Sequence, residues 1–163
     1  ADGKFVAFSA DKGERRVARL QEAGHRLGAV EHRVVELGLD LAAGEPARMS
    51  ATDAMAATLN GEVVLVDIRS REEWKQTGLA APAKPISMHE GGFLQKLMEV
   101  AGGDRNKPIA IICATGGRTR YLQHALAGAG FTNIIDVSEG MEGSPVGPGW
   151  LKRGLPVKPF HAQ

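Results

Sequence analysis

Cysteine is almost missing from this chain of 163 residues: Cys113 is the single one. An intramolecular disulfide is therefore impossible, and a cysteine-rich metal site is excluded. Aromatic residues are scarce at 5%, too few to suggest a surface on which nucleic-acid bases stack. Neither sign of charge dominates. Twenty Lys and Arg against 19 Asp and Glu leave a formal charge of +1, so no global field draws in nucleic acid or an anionic membrane. Long apolar runs are absent too: Val63–Val66 and Ile109–Ala114 fall far short of the ~20 residues that span a bilayer. Neither nucleic acid nor a membrane is an expected partner. No basic stretch leading into an apolar one marks a signal peptide; a soluble protein is expected, with its compartment open and the cytoplasm slightly favoured over the periplasm.

What is present is an ordinary globular composition, 43% hydrophobic and 24% charged, which excludes a disordered tail or a collagen-like chain. The length suits one domain, or one domain with an extension. The character of the chain changes near Gly44-Glu45-Pro46. Before it, Lys4–Phe8 reads as a short strand, and Asp11 with Glu14 reads as a helix start. Leu20, Ala23, Leu27, Val30, Val34, Leu37 and Leu41 then recur at alternating steps of three and four, a heptad-like apolar stripe. An unbroken helix here would be about 33 Å long. Gly24, Gly28 and Gly38 each weaken it by ~1 kcal/mol relative to Ala, so two shorter helices divided near Gly28 fit equally. Residues 1–48 thus read as a helical extension, either joining two chains into a homodimer or lying on the domain formed by residues 49–163.

After residue 48, short apolar runs alternate with helical stretches. Glu62–Asp67 is a β-branched run entered from Asn60-Gly61, as a buried parallel strand would be. A short helix begins over 71–75, Pro82 and Pro85 bracket a loop, and Ile86–Met88 reads as a brief strand. Phe93, Leu94, Leu97, Met98 and Val100 mark an amphipathic helix that stops at Gly102-Gly103. Pro108–Ile112 is the most apolar strand. Gly117–Gly128 follows as a helix with Tyr121, Leu122, Ala125 and Leu126 inward, ending at Gly130, and Asn133–Val137 is a further strand. This alternation predicts an α/β fold: a parallel sheet wrapped on both faces by helices.

The chemistry falls where the most apolar strand ends. Cys113-Ala114-Thr115-Gly116-Gly117-Arg118-Thr119 joins that strand to a helix, at the carboxyl edge where open α/β sheets bind ligands. Two glycines allow a tight loop whose N–H groups turn inward as an anion-binding nest, and the helix start adds partial positive charge. A thiol at the head of such a nest is expected to ionise readily. The nest would also hold an anionic sulfur or phosphorus group bonded to it, with Arg118 as a fixed charge or a two-point brace. A lone cysteine is commonly just a small buried hydrophobe. In this setting the nucleophile reading prevails.

These residues carry a resemblance. Leu65-Val66-Asp67-Ile68-Arg69-Ser70-Arg71-Glu72-Glu73-Trp74, then Ile111–Thr119, then Gly130-Phe131 and Val137–Met141, then Trp150 and Gly154-Leu155-Pro156-Val157, resemble a single-domain rhodanese. The match runs from about Met49 to Phe160, with its parts in family order. It implies the three-layer rhodanese-like form of the α/β fold, and a sulfurtransferase. Cys113 would attack the outer sulfur of thiosulfate or a similar donor and carry it as a persulfide, which cyanide, a small thiol or a thiol protein then removes. Ala114, Thr115, Gly116, Gly117, Arg118 and Thr119 would form the persulfide-binding loop, with Arg118 either contacting the donor or bracing the loop. No cofactor and no metal are implied, and His25, His32, His124 and His161 show no metal-ligand spacing with Cys113.

Rival readings are a non-enzymatic module of the same fold that binds a partner protein, and a cysteine phosphatase. The phosphatases place five residues between cysteine and arginine; here Ala114 to Gly117 are four, a smaller cradle, and Ile112 stands where many phosphatases have histidine. Two departures from the rhodanese pattern matter. Ala114 sits where several thiosulfate-using members carry a basic residue, and Thr77–Ala83 lacks the family's usual histidine, which predicts a rearranged loop. Asp67 and Arg69 fit the family's strand-end Asp-x-Arg, as a structural ion pair or as support for the site. Trp74 and Trp150 read as core. Met88 and Met141 are candidates for apolar walls near the sulfur, His89 for the site mouth or plain surface, and Glu142–Gly149 for a rim or a connector.

Overall fold

The computed structural model describes residues 46–161. The helix predicted within residues 11–41, and the homodimer it would form, lie outside the described residues. In chain order the first elements are β1 (Arg48–Met49), α1 (Ala51–Leu59), β2 (Val64–Asp67), α2 (Arg71–Thr77), β3 (Leu79–Ala80) and β4 (Lys84–Pro85). There follow α3 (Phe93–Val100), β5 (Ile109–Ile112), α4 (Gly117–Gly128), β6 (Ile134–Val137), α5 (Gly149–Lys152) and β7 (Val157–Lys158).

Five strands make one parallel sheet in the order β1-β6-β5-β2-β4. Because they are parallel, their carboxyl ends share one edge, and each return needs a crossover through a helix. Side chains alternate across the sheet. On one face Val66, Ile109, Ile111 and Ile134 meet Leu97, Ala101, Leu122 and Leu126 of the α3 and α4 side. On the other, Leu65, Ala110, Ile112, Ile135 and Val137 meet Ala51, Ala54, Ala57 and Trp150. Each fully buried Ile or Leu contributes about 2 kcal/mol, so β5 is the energetic centre of both cores. This is the three-layer α/β arrangement that the alternation predicts.

Three details differ from the sequence expectation. The brief strand lies at Lys84–Pro85 rather than 86–88, although the N–H groups of Ile86 and Met88 still bond to Asp67 O and Ile68 O at 3.1 and 3.0 Å. Within α4, Leu122 and Leu126 point inward, but Tyr121 is 70% exposed and Ala125 is exposed; Gln123 is buried instead, donating to Ala47 O and Ile134 O. The Thr77–Ala83 loop forms β3, which pairs antiparallel with β7 as a separate two-stranded sheet. No helix among the described residues is long and apolar enough to cross a membrane.

Candidate active site

β5 ends in Cys113, which is 1% exposed. Its Sγ accepts the Gly116 N–H at 3.1 Å and lies 3.6 Å from the Thr119 hydroxyl, which in turn donates to Gly116 O at 3.0 Å. The turn closes because Gly116 takes φ +85°, a conformation costly for any residue with a Cβ. Gly116 is also the N-cap of α4, so the start of a twelve-residue helix lies beside the sulfur. Of the predicted loop residues, Ala114, Gly116 and Thr119 are buried, Arg118 is half-buried, and Thr115 and Gly117 are exposed. The structure brings all of them around Cys113, with the Gly116 N–H as the donor that reaches it.

A second segment, 138–142, locks this loop from the side. Met141 N–H donates to Cys113 O at 2.8 Å and Glu142 N–H to Ala114 O at 2.9 Å. Two glycines permit the approach: a Cβ on Gly116 would stand 2.3 Å from Ser138 O, and one on Gly140 would stand 2.3 Å from Ala114 O. Glu139 anchors the segment. Its buried carboxylate accepts from Ala51 N–H, Gly149 N–H and both Nε and Nη2 of Arg153. Burial works against that charge, but Arg153 and the two backbone donors outweigh it and hold the carboxyl below the usual range. Glu139 stands within the Val137–Met141 stretch that carries the resemblance, but nothing local assigns it this role.

Arg118 does not stand free. Its Nη1 donates to Glu73 Oε2 at 2.8 Å and its Nη2 to Glu73 Oε1, a two-point ion pair across 45 residues of sequence. Nη1 also lies 3.2 Å from His89 Nε2, which acts as the acceptor there because a guanidinium only donates. His89 is thus at the site mouth, although exposed. Glu73 is fixed from the other side by the start of α2, where Ser70 Oγ accepts Glu73 N–H and Glu73 Oε2 accepts Ser70 N–H. The run Ser70-x-x-Glu73, within the stretch that carries the resemblance, is a capping-box signature and a sequence signal for Glu73. Arg118 is thus held between the start of α2 and His89.

The Arg118 hydrogen bond, against a smaller opposing effect of burial and with help from Ser70, holds the Glu73 carboxyl down to about 2. Its folded value lies below the unfolded one, so the pair's stabilisation is complete above pH ~4.5 and is lost as pH falls toward 2. Melting temperatures measured from pH 2 to 6 are expected to drop more steeply below pH ~4.5 in the wild type than in Glu73→Gln. Parallel curves would contradict this assignment.

Asp67 and Arg69, both fully buried, form a clasp at the end of β2. Arg69 Nε donates to both Asp67 oxygens at 3.0 and 3.1 Å, and Nη2 to Oδ2 at 2.8 Å. Nη1 donates to Thr77 Oγ1 and Nη2 also to Gly78 O, each at 2.8 Å. The clasp therefore ties β2 to the turn before β3 as a buried ion pair, and the Asp67 charge is also felt at Arg118. Asp136 is buried beneath the start of α4. Burial pushes its carboxyl up against the opposing pull of the Thr119 and Ser138 hydroxyls, and the latter donates to Oδ2 at 3.1 Å.

A family model described as rhodanese-like domain matches residues 50–144. The chain belongs to the rhodanese-like domain family. This rhodanese-like chain is 30% identical over 104 residues to an uncharacterised protein of Rickettsia prowazekii, across 60% of this chain and 85% of that one. The solution structure of the polysulfide-sulfur transferase homodimer from Wolinella succinogenes aligns over 93% of this chain and 95% of its own, with TM-score 0.55 and 25% identity. The thiosulfate sulfurtransferase from Pseudomonas aeruginosa shares the fold, with TM-score 0.53 and 19% identity over 88% of this chain and 26% of that one.

Met88, Met141 and Trp150 divide between the two cores of the rhodanese-like domain. Met88 packs in the cluster that holds Cys113, whereas Met141 is buried in the opposite one, so only Met88 fits an apolar wall on the sulfur's side. Trp150 is fully buried and donates Nε1–H to Pro156 O at 2.9 Å. Trp74 is buried edge-on against Phe160. Glu142–Pro148, with Lys152, line an open pocket of about 600 Å³ that continues from the segment locking the Cys113 loop.

Proposed function

We propose that this rhodanese-like domain is a sulfurtransferase that carries a sulfane sulfur as a persulfide on Cys113. The observation that carries the reading is the Gly116 N–H directed at the sulfur of the chain's single cysteine, at the start of a helix and at the carboxyl edge of a parallel sheet. Membership in the family supports it, as does the likeness to a protein described as a polysulfide-sulfur transferase. The Cys113 thiolate attacks the outer sulfur of a donor such as thiosulfate. A new S–S bond forms, the donor's S–S bond breaks, and the leaving group departs with its electron pair. A thiol, thiol-protein or cyanide nucleophile then attacks the outer sulfur of the persulfide and returns Cys113 as a thiolate. The Gly116 N–H and the positive end of α4 favour the anionic sulfur throughout.

Thiocyanate formation from a sulfane donor and cyanide tests this. Cys113→Ser is expected to lose turnover by about 10³-fold or more, because the persulfide has nowhere else to form. Turnover retained in Cys113→Ser would remove the proposal. Absence of turnover in the wild type, with hydrolysis of an aryl phosphate instead, would establish the phosphatase reading.

A further inference from the structure

We infer that Glu73 sets the choice of sulfur donor: by occupying Arg118 it withdraws the loop's positive charge, so the site favours hydropersulfides, R–S–SH, over dianionic thiosulfate. This rests on the proposed persulfide chemistry at Cys113. The ground is the charge arrangement at the carboxyl edge. Among the described residues, the loops and first helical turns entering that edge carry Arg69 and Arg71 after β2, and Arg118 and Arg120 after β5, the last acting on the buried Asp136 carboxyl. The first three are committed. Arg69 is buried against Asp67, Arg71 pairs with Glu90, and Arg118 pairs with Glu73. The loops after β4 and β6 bring Glu90, Glu139 and Glu142 and no Lys or Arg.

Arg118 is within electrostatic reach of Cys113, and Ala114 adds no charge of its own. The two donor classes place different demands on that charge. Thiosulfate enters as a dianion and leaves as sulfite: Cys–S⁻ + S–SO₃²⁻ gives Cys–S–S⁻ + SO₃²⁻, so two negative charges need support on departure. A hydropersulfide in its protonated form needs less: Cys–S⁻ + R–S–SH gives Cys–S–SH + R–S⁻. In both, one S–S bond forms, one breaks, and the leaving group keeps the electron pair. Neutralising the arginine with a carboxylate therefore slows the first far more than the second.

The test is the rate of sulfur loading on Cys113, read by intact mass, from thiosulfate and from 2-hydroxyethyl hydropersulfide, which carries no other charged group. The wild type is expected to load faster from the hydropersulfide. Glu73→Gln keeps the capping acceptor for Ser70 N–H but frees the Arg118 charge, and should raise the thiosulfate-to-hydropersulfide ratio about fivefold. The rise should shrink at high salt and vanish in Glu73→Gln/Arg118→Met. Glu73→Met, which removes cap and charge together, should give a similar rise, so a folding defect in one variant leaves the other to decide. A ratio unmoved in both Glu73 variants, or a rise that survives loss of Arg118, would overturn the role of Glu73 while leaving persulfide formation intact. No loading of the wild type from either donor would instead remove the persulfide reading, and this inference with it.

Discussion

Asp67→Ala is expected to lower the unfolding free energy by about 3–5 kcal/mol, the cost of leaving a buried guanidinium without its carboxylate. Arg69 is fully buried, and Asp67 receives its Nε, one Nη2 hydrogen and its backbone N–H. Thr77 Oγ1 and Gly78 O remain as neutral partners, and neither balances a charge. Urea unfolding measures the loss. The double variant Asp67→Ala/Arg69→Met is expected to recover most of it, because removing both charges removes the desolvation penalty together with the attraction. A loss below about 1 kcal/mol in the single variant would show that the clasp is not the anchor of β2 and the β3 turn.

Gly140→Ala should be strongly damaging to activity although it lies outside the Cys113 loop. Its Cβ would stand 2.3 Å from Ala114 O and 2.8 Å from Thr115 N, both backbone atoms of the loop that holds the sulfur, at φ +68°. Neither contact relaxes by a side chain turning away. The Cys113 loop has to move, and a displacement near 1 Å at a reacting centre costs on the order of 100-fold in rate. Stability should fall by about 3 kcal/mol from the strained conformation and the overlap together. Gly128→Ala is the control: it lies at the end of α4 with nothing within 4 Å, and should be neutral or stabilising. Sulfur loading at the wild-type rate in Gly140→Ala would contradict the interlock of the two segments.

The centre of the fold is legible because its strands are short, uninterrupted apolar runs bounded by turn residues. Val64–Asp67, Ile109–Ile112 and Ile134–Val137 all lie within runs that read as strands from composition alone. What escaped is built from small or short pieces. α1 buries Ala51, Ala54 and Ala57, which make close helix–sheet contact without any large apolar period. β3 and β7 are two residues each and exist only because distant segments meet. The same distinction governs the candidate site. The Cys113 loop is continuous in sequence, so its glycines, thiol and arginine are visible together. Glu73 meets Arg118 only through the return of the chain across the sheet, and Glu139 earns its place through partners at residues 51, 149 and 153. Contacts of that kind leave no local pattern.

The most direct test of the account is the intact mass of the protein after brief exposure to a sulfane donor without reductant. With one cysteine in the chain, a gain of ~32 Da reports sulfur at a single atom. The wild type is expected to gain it, to lose it on adding cyanide, and the Cys113→Ser variant is expected to gain nothing. A wild type that takes up no sulfur while its thiol is still alkylated, or a gain in Cys113→Ser, would contradict the account.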